Sequence, residues 1–174
     1  MKKTILLLLA VCNLAPGLVA NTTKQCTVAY EVMYQIALNE HHPKRKVGYP
    51  FIIAFNKGMK VIAPEGTILL DSRTIDCKNQ DLCVSTTRFL VENNITNLDL
   101  GAFQINYKQH PQQNLDKYFD LNWSYAYACS YIEKLTARFG WSWKTLGMYH
   151  NMKDEFNKPY VEKIQKRVYA KMEN

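Results

Sequence analysis

Cysteine placement limits what this chain can fold into more than any other feature. It has five cysteines, and the first, Cys12, lies in a segment that reads as a leader rather than as part of the fold. Lys2 and Lys3 give that segment a basic start, residues 5–11 and their flanks give it an apolar core, and it closes at Leu18-Val19-Ala20, a small residue before the expected cut. This is the layout of a secretory signal peptide over residues 1–20, with a core too short to anchor in a bilayer. A lipid anchor on Cys12 is the rival, and the bulky Val11 before it speaks against that processing. Cys26, Cys77, Cys83 and Cys129 remain, and an even count in an exported chain reads as two disulfides. Cys77 and Cys83 bracket the short polar loop 78–82, which favours that pair; Cys26 with Cys129 then follows, joining the start of the fold to a later helix. The alternative is a four-cysteine metal site, but no pair has the two-residue spacing of a zinc knuckle.

Cleavage after Ala20 leaves 154 residues, enough for one domain (21–174) with a sizeable core, and removes two lysines, so that the net charge falls from +7 to +5. No later segment is apolar enough to cross a bilayer, so the expected product is a soluble monomer in the periplasm or outside the cell. A moderately basic exported protein suits an anionic polymer such as a cell wall. Its Lys and Arg residues are scattered apart from Lys44-Arg45-Lys46. That trio fits a solvated loop better than a binding patch, and no nucleic-acid partner is expected.

Val28, Val32 and Ile36 recur every fourth residue with Ala29, Met33 and Ala37 beside them, which predicts an amphipathic helix ended at His42 by Pro43. The same series continues to Glu40, placing a carboxylate in register with the buried face. Residues 49–55 and 59–63 are apolar and β-branched around Asn56-Lys57-Gly58, which predicts a hairpin, and 68–70 can add a short strand. Residues 86–92 read as a helix closing at Asn93-Asn94. Tyr125, Ala128, Ile132, Leu135 and Phe139 predict a further helix stopped by Gly140. Ser142 can cap a helix over 143–150, and Pro159 fits the first turn of a final helix through Val161, Ile164 and Val168. The expected class is α+β, mainly α, with a small inserted β-hairpin.

Three segments carry chemistry. Glu40 on a buried helix face, near the negative end of the helix dipole, is placed to hold its proton at neutral pH, as a general acid must. The alternative is a surface glutamate paired with Lys44, Arg45 or Lys46. Leu98-Asp99-Leu100-Gly101-Ala102-Phe103-Gln104-Ile105-Asn106 puts two amides in an apolar run. Each amide offers donors and an acceptor to sugar hydroxyls and N-acetyl groups, and Gly101 would let a bulky polymer approach the backbone. Tyr149-His150-Asn151 follows downstream. The four histidines lack a metal-binding spacing such as His-Glu-x-x-His, so neither metal nor cofactor is expected. Tyr107 and Trp143 are stacking candidates without a motif, and His110 before Pro111 reads as structural.

In this order the segments resemble the soluble lytic transglycosylases of the goose-lysozyme-like type, in the branch with a β-hairpin after the catalytic glutamate. The likeness runs from about Cys26 to Val168. Ile36-Ala37-Leu38-Asn39-Glu40 resembles the segment ending in the family's catalytic acid. Tyr49-Pro50-Phe51-Ile52-Ile53-Ala54-Phe55-Asn56 resembles the hairpin that follows. Residues 97–106 resemble the Gly-x-x-Gln-Ile-Asn signature, and residues 143–151 the later segment that places Tyr149. Three positions depart from the pattern. His41 stands where Ser or Thr is usual, Ala102-Phe103 replaces Leu-Met, and Asn151 replaces a common serine.

The resemblance implies a lysozyme-like fold and peptidoglycan as substrate. Glu40 would be the catalytic acid and base, with Gln104, Asn106, Tyr149 and His150 binding substrate. The implied product is a 1,6-anhydro-N-acetylmuramic acid end. Ordinary glycosidases use two carboxylates instead, for which Asp99 is the nearest candidate, although it reads first as a cap of the turn before Gly101. The alternatives are a lysozyme-type muramidase and an inactive murein-binding assembly protein; the retained Glu40 favours an enzyme. Small single-domain members resemble those that open the wall for type IV secretion or conjugation machines, an analogy of role only.

Overall fold

A computed structural model describes residues 26–172, so the expected signal peptide and Cys12 lie outside the described residues. The fold is α+β, with, among the described residues, six helices and five short strands in the order α1 (Tyr30–Glu40), β1 (Ile52–Phe55), β2 (Ile68–Leu69), β3 (Thr74–Asp76), α2 (Gln80–Glu92), β4 (Leu98–Leu100), β5 (Ile105–Asn106), α3 (Asp116–Phe119), α4 (Leu121–Phe139), α5 (Trp143–Gly147) and α6 (Asp154–Met172). The strands form one antiparallel sheet, ordered β2-β3-β1-β4-β5. No helix among the described residues is long and apolar enough to cross a membrane.

Both helices with the clearest apolar spacing form. In α1 the buried positions Met33, Ile36 and Ala37 make a stripe that Glu40 continues by one turn. In α4 the stripe is Ala128, Cys129, Ile132 and Leu135, opened by Asp120 accepting from the Trp123 amide and ended at Gly140, whose φ of 77° suits a residue without a Cβ. The predicted disulfides are both present. Cys26–Cys129 pins the start of the fold to the middle of α4, across 103 residues of chain. Cys77–Cys83 closes the β3–α2 junction. There the expected polar loop is shorter than expected, because Asn79 caps α2 at Leu82 and the helix begins at Gln80.

The expected hairpin is corrected. Its turn exists, with the Met59 amide bonded to the Asn56 carbonyl and Gly58 at φ 89°, but residues 59–63 form no strand. β1 is already flanked on both sides, pairing Ile52, Ile53 and Ala54 with Asp76, Ile75 and Thr74 of β3, and Ile53, Ala54 and Phe55 with Leu100, Asp99 and Leu98 of β4. Met59, Val61 and Ile62 pack their side chains against the core instead. A central strand has two edges, and here both go to more distant segments. The expected strand near 68–70 does form, as β2 on the sheet edge.

Two helix boundaries also move. The helix capped by Ser142 ends at Gly147, short of His150. The final helix starts at Asp154, so Pro159 lies inside it rather than in its first turn. Asn157 holds that start in place: it is buried and donates to the carbonyls of Lys144 and Asn151. A Cβ on Gly147 would strike the Asn157 side chain and Val161, so its absence is what lets α5 lie against α6.

Candidate active site

A cavity of about 670 Å³ opens between the sheet and the helices. Glu40, Gln104, Asn106, Tyr149 and His150, spread over more than a hundred residues of sequence, all line it. The sheet forms one wall. Successive strand side chains point to opposite faces, so Ile53 and Phe55 enter the core while Ile52 and Ala54 face the cavity. The cross-strand row Thr74–Ala54–Asp99–Asn106 runs along that wall.

The helices form the opposite wall. Glu40 ends α1 there, and its carboxylate oxygen accepts a hydrogen bond from the Tyr160 hydroxyl at 2.8 Å. Burial pushes the Glu40 carboxyl up to about 8; the Tyr160 bond pulls it back and the negative charge of Asp99 adds to the rise. Near neutral pH this group therefore keeps its proton, where a solvated glutamate has lost it. The His150 ring stacks on Tyr160 at 4.6 Å and an interplanar angle of 3°. α6 is itself clamped to the end of α1, since Asn39 donates to the Tyr160 carbonyl at 3.2 Å and accepts from Arg167 at 2.7 Å.

Two of the three cations that could have paired with Glu40 are engaged elsewhere, and Glu40 makes no ion pair among the described residues. The Arg45 Nε donates to the buried Asp76 at 2.6 Å, and the Lys44 Nζ donates to the Leu70 carbonyl. This removes the surface ion-pair reading of Glu40 and gives two members of the basic trio a structural use. His41 turns its Nδ1 to the Leu38 carbonyl at 2.6 Å, back onto its own helix. The hydroxyl that meets Glu40 thus comes from Tyr160 on α6, not from the residue beside it.

Asp99 differs from its sequence reading. Its side chain caps no turn but accepts from Asn56 Nδ2 at 2.9 Å and from Asn106 Nδ2 at 2.8 Å. Burial raises its carboxyl, while those two amides and the Arg73 charge pull it back towards the ionised form. Asn106 also donates to Asn97 at 3.0 Å and accepts from the Gln109 amide at 3.1 Å. Both its amide hydrogens are therefore committed within the protein, and what it does in the site is hold Asp99. Gln104 adopts φ 47° and donates to the Gly101 carbonyl at 2.8 Å.

Gly101 has a different use from the one expected. It is buried, and at φ 75° a Cβ there would collide with the Tyr118 carbonyl oxygen. Its small size admits the protein's own backbone, not a substrate, and it does not line the cavity. Tyr149 donates its hydroxyl to the Phe103 carbonyl at 2.7 Å, which leaves its ring as the surface offered to the cavity.

Several lining residues carried no sequence signal. Tyr127 and Tyr131, one turn apart on α4, flank His110, with a 3.1 Å hydrogen bond between the Tyr127 hydroxyl and Nδ1 and the Tyr131 ring at 4.8 Å. Their spacing off the buried stripe of α4 could have marked them. Asn56 also lines the cavity, although it reads from sequence only as a turn residue; Tyr160 lies outside the lining, and nothing local marks it. Tyr107 and Trp143 are outside the cavity lining. Among the described residues no group of three or more His, Cys, Asp or Glu could hold a metal ion. No protein-family model matches the chain, and neither a curated protein nor a solved structure is similar enough to count as a match.

Proposed function

We propose that this protein is a peptidoglycan lytic transglycosylase with a lysozyme-like catalytic domain, acting in the periplasm or outside the cell. The observation that carries the reading is Glu40, a carboxyl with its affinity for protons raised to about 8, facing a polar cavity beside Gln104, Tyr149 and His150. Glu40 gives its proton to the oxygen joining N-acetylmuramic acid to N-acetylglucosamine, and the bond from that oxygen to the muramyl anomeric carbon breaks. The sugar's own 6-hydroxyl then bonds to that carbon, and its proton returns to Glu40. The acid is regenerated, no water is consumed, and the product is a 1,6-anhydro end. Tethering of nucleophile to electrophile favours this route, by roughly 7–11 kcal/mol in well-oriented cases. Local wall opening for a secretion or conjugation apparatus is the corresponding biological role.

Asp99 supports one second reading. A carboxylate held by two amides on the wall opposite Glu40 is what a muramidase would need as its partner group. Digestion of murein in heavy-oxygen water separates the two. Unlabelled anhydromuropeptides are expected; labelled reducing ends as the main product would assign the enzyme to hydrolysis, and no cleavage at all would leave a murein-binding protein.

A further inference from the structure

The sheet wall carries positive charge that the proposed reaction does not use. Lys57 follows β1 in the Asn56-Lys57-Gly58 turn, and Arg73 immediately precedes β3, its carbonyl accepting from the Phe55 amide at 2.7 Å. The two cations therefore sit at the same end of the β1–β3 ladder. Both line the cavity, and both are exposed. Neither side chain makes an ion pair or a side-chain hydrogen bond among the described residues, whereas Arg45 and Lys144 are each paired with an aspartate. Arg73 acts on Asp99 from a distance, drawing its carboxyl down. Asp99 has its oxygens engaged by Asn56 and Asn106, so the guanidinium fork of Arg73 remains available to a ligand.

We infer that Lys57 and Arg73 form a carboxylate-binding subsite at the sheet end of the groove, which selects glycans bearing acidic substituents over neutral ones. This rests on the peptidoglycan reading above and names which part of that polymer the site recognises. A carboxylate presented to an arginine is bound through two parallel N–H···O bonds, and a lysine beside it adds a mobile point charge. A neutral N-acetylglucosamine polymer offers nothing for either group. In murein the carboxylate has two sources. One is the peptide stem. The other is the lactyl group itself, which becomes a free acid once the stem is removed.

The test measures binding rather than turnover, so that it does not depend on the chemistry. Glu40→Gln protein is titrated with three ligands: glycan strands carrying peptide stems, the same strands stripped of stems by an amidase, and neutral chitooligosaccharides of equal length. The measurement is repeated with Lys57→Gln and Arg73→Gln added. Both positions are exposed, and the fold of each variant is checked by its thermal transition. The expected result is tighter binding of at least one carboxylated ligand than of the neutral one, with the preference reduced by about threefold to tenfold when both cations are removed. Loss confined to stem-bearing strands assigns the stem carboxylates, and loss on stripped strands assigns the lactyl acid. Equal affinity for all three ligands, or a preference that survives the double substitution, overturns the subsite. Separately, the wild-type product assay decides the lyase reading. Charge-dependent binding without cleavage would leave the subsite standing and remove the reaction.

Discussion

Two carboxyls face one cavity from opposite walls, and the protein treats them differently. Glu40, on the helix wall, receives one hydroxyl donor and is pushed up to about 8. Asp99, on the sheet wall, receives two amide donors and feels Arg73. Donors to a carboxylate favour its charged form, and burial without enough of them favours the neutral one. Burial raises both carboxyls, but two amides and the Arg73 charge draw Asp99 back, whereas a single hydroxyl donor leaves Glu40 at about 8. The same contrast holds in the backbone. The helix wall is built from long elements clamped by side chains from α6, the sheet wall from strands of two to four residues that depend on close backbone approach at Gly101.

Removing the acid tests the contrast most severely. Glu40→Gln should cut turnover by about a hundredfold or more, read as anhydromuropeptide release. It should also stabilise the protein at high pH. A group whose folded pKa lies above its unfolded value of 4.5 contributes stability fully present below that value and lost as the pH rises towards 8. The substitution should therefore raise the melting temperature at pH 8, by the equivalent of a few kcal/mol, and change it little at pH 4. A variant that unfolds at the same temperature as wild type at both pH values would mean that Glu40 is not held neutral.

Gly101→Ala breaks the other wall. The positive φ and the collision with Tyr118 should together cost about 3 kcal/mol or more, measured by denaturant unfolding. Full stability with reduced activity would instead restore the idea that Gly101 makes room for substrate.

The next two substitutions should move the pH profile in opposite directions. Activity requires protonated Glu40, so it should fall as pH rises through about 8. Tyr160→Phe removes a donor that favours the anion, so the basic limb should move to higher pH, with a rate loss of about tenfold as the carboxyl loses its anchor. Asp99→Asn removes a negative charge that favours the proton, so the limb should move to lower pH, with a smaller change in maximal rate than Glu40→Gln or Tyr160→Phe. Collapse of activity in Asp99→Asn, out of proportion to that shift, would favour the muramidase reading. Parallel shifts in the two variants would show that Asp99 and Tyr160 do not act on Glu40 as opposing influences.

What the sequence determined by itself is what depends on near neighbours or on compartment. The register of Glu40 with Met33, Ile36 and Ala37 follows from helical spacing alone, as does α4, and the cap at Ser142 from its residue type. The pairing of Cys26 with Cys129 follows from an even count and one short loop. The family resemblance grouped Gln104, Asn106, Tyr149 and His150, and all four line one cavity. Tertiary structure decided the rest. Residues 59–63 had a strand's composition, but a strand has only two edges, and Thr74–Asp76 and Leu98–Leu100 took both. Tyr160 meets Glu40 across 120 residues, and Asn56 meets Asp99 across 43, with no periodicity linking either pair. Local spacing records which face of an element is apolar. Which distant donor reaches a carboxyl inside the fold is set only when the walls pack together, and here that choice sets Glu40 apart from Asp99.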